Sequence, residues 1–206
     1  MRYGLLIALL CASAFAQQYD LSGLIGYGAY RDHSISSPTG TLTVGMRNTY
    51  AAGGLFGQDL YSHISGEVRY LYQNGDPFVS SGSVRGYLPG HSQTFSYDGL
   101  FHVYDRDRRF RPFAAVGVGG KVYQISGSAP FPPSPPQLAQ FTKVNDWQYV
   151  FDVGAGFKYR LSGHVMLRGD FRDYISPFPK KLYAPAGNGS GWLQQFTPTL
   201  GLGYWF

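Results

Sequence analysis

Residues 196–206 (FTPTLGLGYWF) constrain the fold of this chain more than any other segment. Phe196, Leu200, Leu202, Tyr204 and Phe206 share one parity, while Thr197, Thr199, Gly201 and Gly203 share the other. A period of two describes a strand with one oily face and one small or polar face. In water, such a strand at the end of a chain is an exposed edge prone to aggregate. A transmembrane barrel removes the edge by pairing the last strand with the first, and lipid covers the oily face.

The amino-terminal residues indicate export. Arg2 precedes an apolar run from Leu5 to Phe15, and Ala14-Phe15-Ala16 has the small-x-small form of a cleavage site. Residues 1–16 therefore read as a secretory signal peptide cut before Gln17, leaving 17–206 as one barrel domain. A lipoprotein signal needs a small residue before Cys11, where Leu10 stands. Cleavage also removes the only cysteine, so neither disulfide nor thiol chemistry is expected of the exported chain.

Composition agrees with a membrane barrel. Charged residues make up 14% of the chain, against roughly a quarter in ordinary soluble domains. Glycine, at 28 residues, and the aromatics, at 17%, are both abundant. After the signal, no apolar run reaches the ~18 residues of a spanning helix. Alternating strands keep mean hydropathy low while still presenting a continuous apolar surface. The net charge of +5 comes from basic residues scattered along the chain rather than gathered in one run, which argues against a nucleic-acid partner.

Eight alternating segments are predicted, at residues 19–32, 39–49, 60–73, 91–104, 112–123, 146–160, 164–174 and 196–206. The even count describes an all-β, antiparallel, up-and-down transmembrane β-barrel, with segments near the 9–11 residues a tilted crossing needs. With a periplasmic amino terminus, residues 32–38 form a short first outer connection. Residues 74–90, 124–145 and 175–193 form long ones, and the inner turns at 50–59, 105–111 and 161–163 are shorter. Long outer loops and short inner turns are the asymmetry of outer-membrane barrels. Two aromatic girdles are expected at the interfaces. Tyr50, Tyr61, Tyr104, Tyr159, Tyr204 and Phe206 fall near the periplasmic ends, and Tyr70, Tyr72, Phe95, Tyr123, Trp147 and Tyr174 near the outer ends.

One hairpin reads to register. Taking Leu161-Ser162-Gly163 as a three-residue loop sets Arg160 opposite His164 and Asp152 opposite Arg172 on the inner face, which predicts an ion pair.

The sequence resembles the small eight-stranded outer-membrane barrels typified by the membrane domain of outer membrane protein A. The resemblance covers 17–206. It rests on the aromatic terminal strand, the Arg111-Pro112-Phe113 entry to Gly117-Val118-Gly119, and the stretch Gly169-Asp170-Phe171-Arg172-Asp173-Tyr174. It implies a bacterial outer-membrane protein in contact with outer-membrane lipid and lipopolysaccharide, with a lumen plugged by charged side chains. It also implies insertion by the barrel-assembly machinery through the Phe206 terminal strand, and a monomeric state. No peptidoglycan-binding domain follows the barrel as it does in the type protein, so a wall-tethering role is not expected.

An eight-stranded barrel is just wide enough for side chains to fill it. The inward parity carries Glu67, Arg69, Asp98, Lys121, Asp152, Lys158, Arg168, Asp170 and Arg172. Unpaired buried charge is costly, so the two signs should pair in a stabilising network. The alternative is a polar path for a small solute, because Gly26, Gly28, Gly117, Gly119, Gly154, Gly156, Gly201 and Gly203 leave room for water.

No catalytic, cofactor-binding or metal-binding residue is assigned. His63, Ser65 and Glu67 share one strand face and have hydrolase-like identities, as in barrels that trim lipid A. However, alternate strand residues lie ~6.5–7 Å apart, too far for triad contacts. His33, His63, His91, His102 and His164 sit on separate segments without ligand spacing. The Gly187–Gly191 stretch lacks the lysine and helix of a phosphate loop. Pro130–Pro136 (PFPPSPP) reads as extended polyproline in an outer loop. A structural or surface-interaction barrel without enzymatic activity is the function expected, with a narrow solute channel or a lipid A-modifying enzyme as alternatives. A soluble lipocalin-like carrier would require the apolar parity to face inward.

Overall fold

Along the long strands, exposure alternates with parity as strictly as residue type does. Ile25 is 70% exposed and Leu202 61%, while Asp98, Arg168 and Arg172 are fully buried. The apolar parity therefore faces outward and the charged parity is enclosed, the arrangement of a membrane barrel rather than a soluble carrier. The computed structural model describes residues 18–37, 40–81, 84–125, 140–141, 145–179, 183–184 and 191–206. Residues 1–16, read from the sequence as a signal peptide, and Pro130–Pro136 lie outside these residues, as does the glycine-rich stretch up to Ser190.

The strands in chain order are β1 (Tyr19–Tyr30), β2 (His33–Ser37), β3 (Gly40–Met46), β4 (Thr49–Asp59), β5 (Ile64–Asn74), β6 (Pro77–Ser81) and β7 (Val84–Tyr87). They continue with β8 (Gly90–His102), β9 (Phe110–Ile125), β10 (Gln140–Phe141), β11 (Asn145–Arg160), β12 (Val165–Pro177), β13 (Tyr183–Ala184) and β14 (Trp192–Trp205). Eight of them, β1, β4, β5, β8, β9, β11, β12 and β14, form a closed barrel with every neighbour antiparallel. The seam between β1 and β14 is tied at its end by reciprocal bonds between Tyr19 and Phe206, at 3.0 and 3.1 Å. Its register runs from Asp20↔Trp205 to Gly26↔Thr199 and resumes at Ala29↔Phe196, with Pro198 in the interval. Proline has no N–H to give the ladder.

The second barrel strand is not the predicted one. Residues 39–49 alternate cleanly, but Gly40–Met46 within them are β3, part of a four-stranded sheet β2-β3-β6-β7 beyond the barrel rim. The strand that crosses is β4, which takes up the whole stretch 50–59 read as a turn. Its lumen-side residues Ala51, Gly53, Leu55 and Gly57 and its lipid-side residues Ala52 and Gly54 are too alike to show a period of two. The first outer connection is accordingly long, spanning residues 31–48, and the inner turn is only 60–63. Val44 and Met46 do not face lipid. They join Tyr30, Val79, Leu88, Tyr123, Ile125, Phe178 and Leu193 in a dry apolar cluster over the outer mouth.

Three girdle residues also move. Tyr50 pairs with Tyr27 and so lies toward the outer end rather than the inner one. Tyr123 and Tyr174 are buried in the lumen. The last hairpin is shifted by two in its register sum: Arg160 faces Met166, and Asp152 faces Tyr174. Leu161 N–H bonds to the Val165 carbonyl at 2.9 Å, so the loop residues are Ser162-Gly163-His164. Because the slip is even, every residue keeps its face.

Candidate functional site

The charged parity converges on the lumen axis. Strand β5 supplies Glu67 and Arg69, and β12 supplies Arg168, Asp170 and Arg172. These strands are four places apart in a ring of eight, hence diametrically opposite. Arg69 grips Asp170 with both terminal nitrogens at 3.0 Å and donates to Glu67 at 2.9 Å. Arg168 grips Glu67 at 2.7 and 2.9 Å, and its Nε donates to Asp170 at 2.8 Å. Arg172 donates to Glu67 at 3.1 Å and to Asp152 on β11 at 2.7 Å. Asp98 on β8 approaches Arg69 Nε at 3.3 Å and Arg172 at 3.5 Å. Thr199 from β14 closes the set on Asp170 at 3.0 Å. Two bidentate pairs cross the full width of the lumen, so the wall is braced from side to side.

Other layers lie above and below. Toward the short turns, Lys158 pairs with Asp20 at 2.6 Å, and Arg111 with Asp59 at 2.8 Å. Arg160 stacks over Trp205, with its guanidinium carbon 4.4 Å from the ring centroid. Toward the long connections, Lys121 meets the Gln195 amide oxygen and lies 4.8 and 5.0 Å from the centroids of Tyr30 and Tyr123. Gln195 in turn contacts Gln73 and Thr197. Unlike Arg69, Arg111, Lys158, Arg168 and Arg172, Lys121 shows no carboxylate within ion-pair distance among the described residues.

Four of the lumen glycines make room for neighbouring side chains. A Cβ on Gly117 would collide with Asp98 Oδ1 and Asp152 Oδ2, and one on Gly28 with the Gln73 amide. One on Gly154 would meet Arg172, and one on Gly156 would meet Asp170 and Phe113. Each glycine lets a long neighbour lie flat against the wall.

His63, Ser65 and Glu67 do not come together. His63 belongs to the inner turn and is exposed, with Nε2 3.1 Å from Asp105. Ser65 instead meets Asp59 and His102, two residues from other strands that the sequence reading did not connect with it. Ser65 donates to Asp59 at 2.5 Å and lies 2.7 Å from His102 Nε2. Serine has one hydroxyl proton, so with that proton on Asp59 it is His102 Nε2 that donates. In a catalytic triad the imidazole stands between serine and acid and takes the serine proton. Here serine stands between the other two, and the imidazole has no lone pair toward it. Among the described residues, no group of three or more His, Asp or Glu side chains is arranged to hold a metal ion.

Asp59, Arg111, Asp20 and Thr199 complete the lattice without having been assigned to it from the sequence. Asp59 was hidden because its strand was read as a turn, and Arg111 because it sat at the end of one. The detectable signal was parity: Arg111 is two residues before Phe113 and ten before Lys121, on the same face.

Residues 4–206 match the family described as outer membrane protein beta-barrel domain. Among solved structures, the outer membrane protein OprG from Pseudomonas aeruginosa is similar, with 14% identity, 92% of this chain and 95% of that chain covered, and a TM-score of 0.61. Neisserial surface protein A shares 12% identity over 91% of this chain and 96% of its own, with a TM-score of 0.53. The outer membrane protein AlkL, solved in lipid bilayers, shares 17% over 91% and 90%, with a TM-score of 0.51. At such identities the likeness concerns the fold. Comparison with curated proteins by sequence gives no match. With a closed eight-stranded barrel, an apolar exterior and a family match over nearly its whole length, the chain belongs to the outer membrane protein beta-barrel domain family and resides in the bacterial outer membrane.

Proposed function

We propose that the protein is a non-enzymatic barrel whose lumen is a structural plug and whose outer connections carry its interactions. The observation behind this reading is the ion lattice joining β5 to β12 across the lumen. A solute path through it would have to separate Arg168 from Glu67 and Arg69 from Asp170, leaving charges unpaired in a narrow, poorly hydrated space. The apolar cluster over the outer mouth adds a second closure. The outer connections carry a sheet of their own, β2-β3-β6-β7, and a barrel scaffold commonly presents its binding surface on such segments. The protein acts as a monomer, and its terminal strand with Phe206 is the segment engaged by the barrel-assembly machinery.

Planar-bilayer recording tests the plug. The wild-type protein is expected to carry no steady current, whereas a Glu67→Ala, Arg168→Ala, Asp170→Ala triple variant, refolded to a heat-modifiable band, should conduct. A steady ohmic current from the wild type would replace the plug with a narrow channel. An enzyme that trims lipid A through Ser65 would change the lipid A mass pattern when Ser65→Ala is introduced. No change is expected.

A further inference from the structure

Gly117 of β9 stands between two acids. In the row of residues that crosses β8, β9 and β11 at one level, Asp98 pairs with Gly117 and Gly117 with Asp152. The backbones of β8 and β11 are roughly 10 Å apart here, two strand spacings. Because the glycine has no side chain, both acids lean over it. A Cβ there would strike Asp98 Oδ1 and Asp152 Oδ2 alike, so these two oxygens converge on one point above Gly117. The two carboxyls are within hydrogen-bonding range of each other.

The arginine contacts fall on the other oxygen of each acid. Arg172 donates to Asp152 Oδ1 at 2.7 Å, while Arg69 and Arg172 approach Asp98 Oδ2 at 3.3 and 3.5 Å. Asp98 Oδ1 and Asp152 Oδ2 meet no hydrogen-bond donor among the described residues, although both side chains are buried.

Charge in the surrounding layer points the same way. Glu67 and Arg69 on β5, with Arg168, Asp170 and Arg172 on β12, complete the layer around the two acids, setting four carboxyls against three guanidiniums. At this level β9 adds only Ala115, Gly117 and Gly119, and β12 adds the phenol of Tyr174, in register with Asp152. His102, four residues along β8 from Asp98, is engaged by Ser65. The Lys158–Asp20 and Arg111–Asp59 pairs are balanced within themselves. Lys121 is four residues along β9 from Gly117, about 13 Å at the backbone, and turns to the Gln195 amide.

Two like charges that meet face to face in so narrow a space disfavour each other's ionisation. A divalent cation between them would need about six oxygen ligands, and two converge here.

We propose that Asp98 and Asp152 form a proton-binding site, in which one acid donates to its ionised partner through Asp98 Oδ1 and Asp152 Oδ2. The proton comes from water as the barrel folds, and the layer is left with three charges of each sign. Both acids ionise at neutral pH in the unfolded chain, so the folded barrel holds one proton more. Its folding constant therefore falls tenfold per pH unit, from the pH at which the unfolded acids ionise to that at which the folded pair gives up its proton.

Infrared difference spectroscopy of the refolded barrel in lipid vesicles tests the site at neutral pH. The wild type should show the carbonyl stretch of a protonated carboxyl, shifted in heavy water and lost in both Asp98→Asn and Asp152→Asn. In urea titrations Asp98→Asn, whose amide supplies an N–H where the proton sat, should equal or exceed the wild type in stability, unlike Glu67→Gln. Above about pH 5 the wild type should lose about tenfold in folding constant per pH unit relative to Asp98→Asn, until the proton leaves. The wild-type spectrum keeps the proposal falsifiable if a variant misfolds. It is overturned by a wild type without the band, a band undiminished in both variants, or a loss of stability in Asp98→Asn as large as that in Glu67→Gln. Wild-type stability that rises with sodium over choline at constant ionic strength would put a metal cation in the site and overturn it too.

Discussion

Glu67 shows how a single lumen residue earns its place. It accepts from Arg69, Arg168 and Arg172, so removing its charge leaves three guanidiniums short of an acceptor in a dry space. Breaking a buried ion pair by removing one partner costs about 3–5 kcal/mol, because the survivor stays buried and unpaired. Glu67→Gln is expected to lower the unfolding free energy by about that amount in urea titrations in lipid vesicles. Lys121 is the opposite case. Its surroundings are amides and aromatic rings, so Lys121→Met should leave stability unchanged or raise it in the same titration.

At the scale of the element, β3 and β4 exchange the roles that their sequences suggest. β3 has the better alternation yet packs its apolar parity onto the outer mouth, while the small residues of β4 cross the membrane. Strand identity follows from what each face can be packed against, and a short alternating segment satisfies a cap as well as a bilayer. Cysteine labelling on intact cells with a membrane-impermeable maleimide separates the two assignments. Thr43→Cys, in β3, is expected to be labelled, and Phe56→Cys, outward near the inner end of β4, to remain unlabelled. Labelling of Phe56→Cys alone would restore residues 39–49 as the crossing strand.

For the molecule as a whole, the lumen is closed twice by unlike means. The ion lattice is polar and cross-braced, whereas the outer cap is apolar and made of residues distant in the chain. Replacing residues 33–46 with a short Gly-Ser turn should leave a heat-modifiable, non-conducting barrel, because the lattice below is untouched. The same change should expose Lys121 to an amine-reactive probe that does not reach it in the wild type. Conduction after the deletion alone would mean that the cap, not the lattice, seals the lumen.

From the sequence by itself came the closed barrel, the direction of its apolar parity, and seven of its eight crossing segments, because alternation and segment length are local properties set by the lipid outside. The inward identity of Glu67, Arg69, Asp98, Lys121, Asp152, Lys158, Arg168, Asp170 and Arg172 was legible for the same reason, since parity survives even an even-numbered slip of register. Tertiary structure alone decided who meets whom. Arg69 and Asp170 are 101 positions apart and on opposite walls, and nothing in their local sequence encodes that meeting. It also decided that a glycine-rich stretch crosses while an alternating one caps, because that choice depends on closing a ring of fixed circumference and on a surface that exists only once the ring has closed.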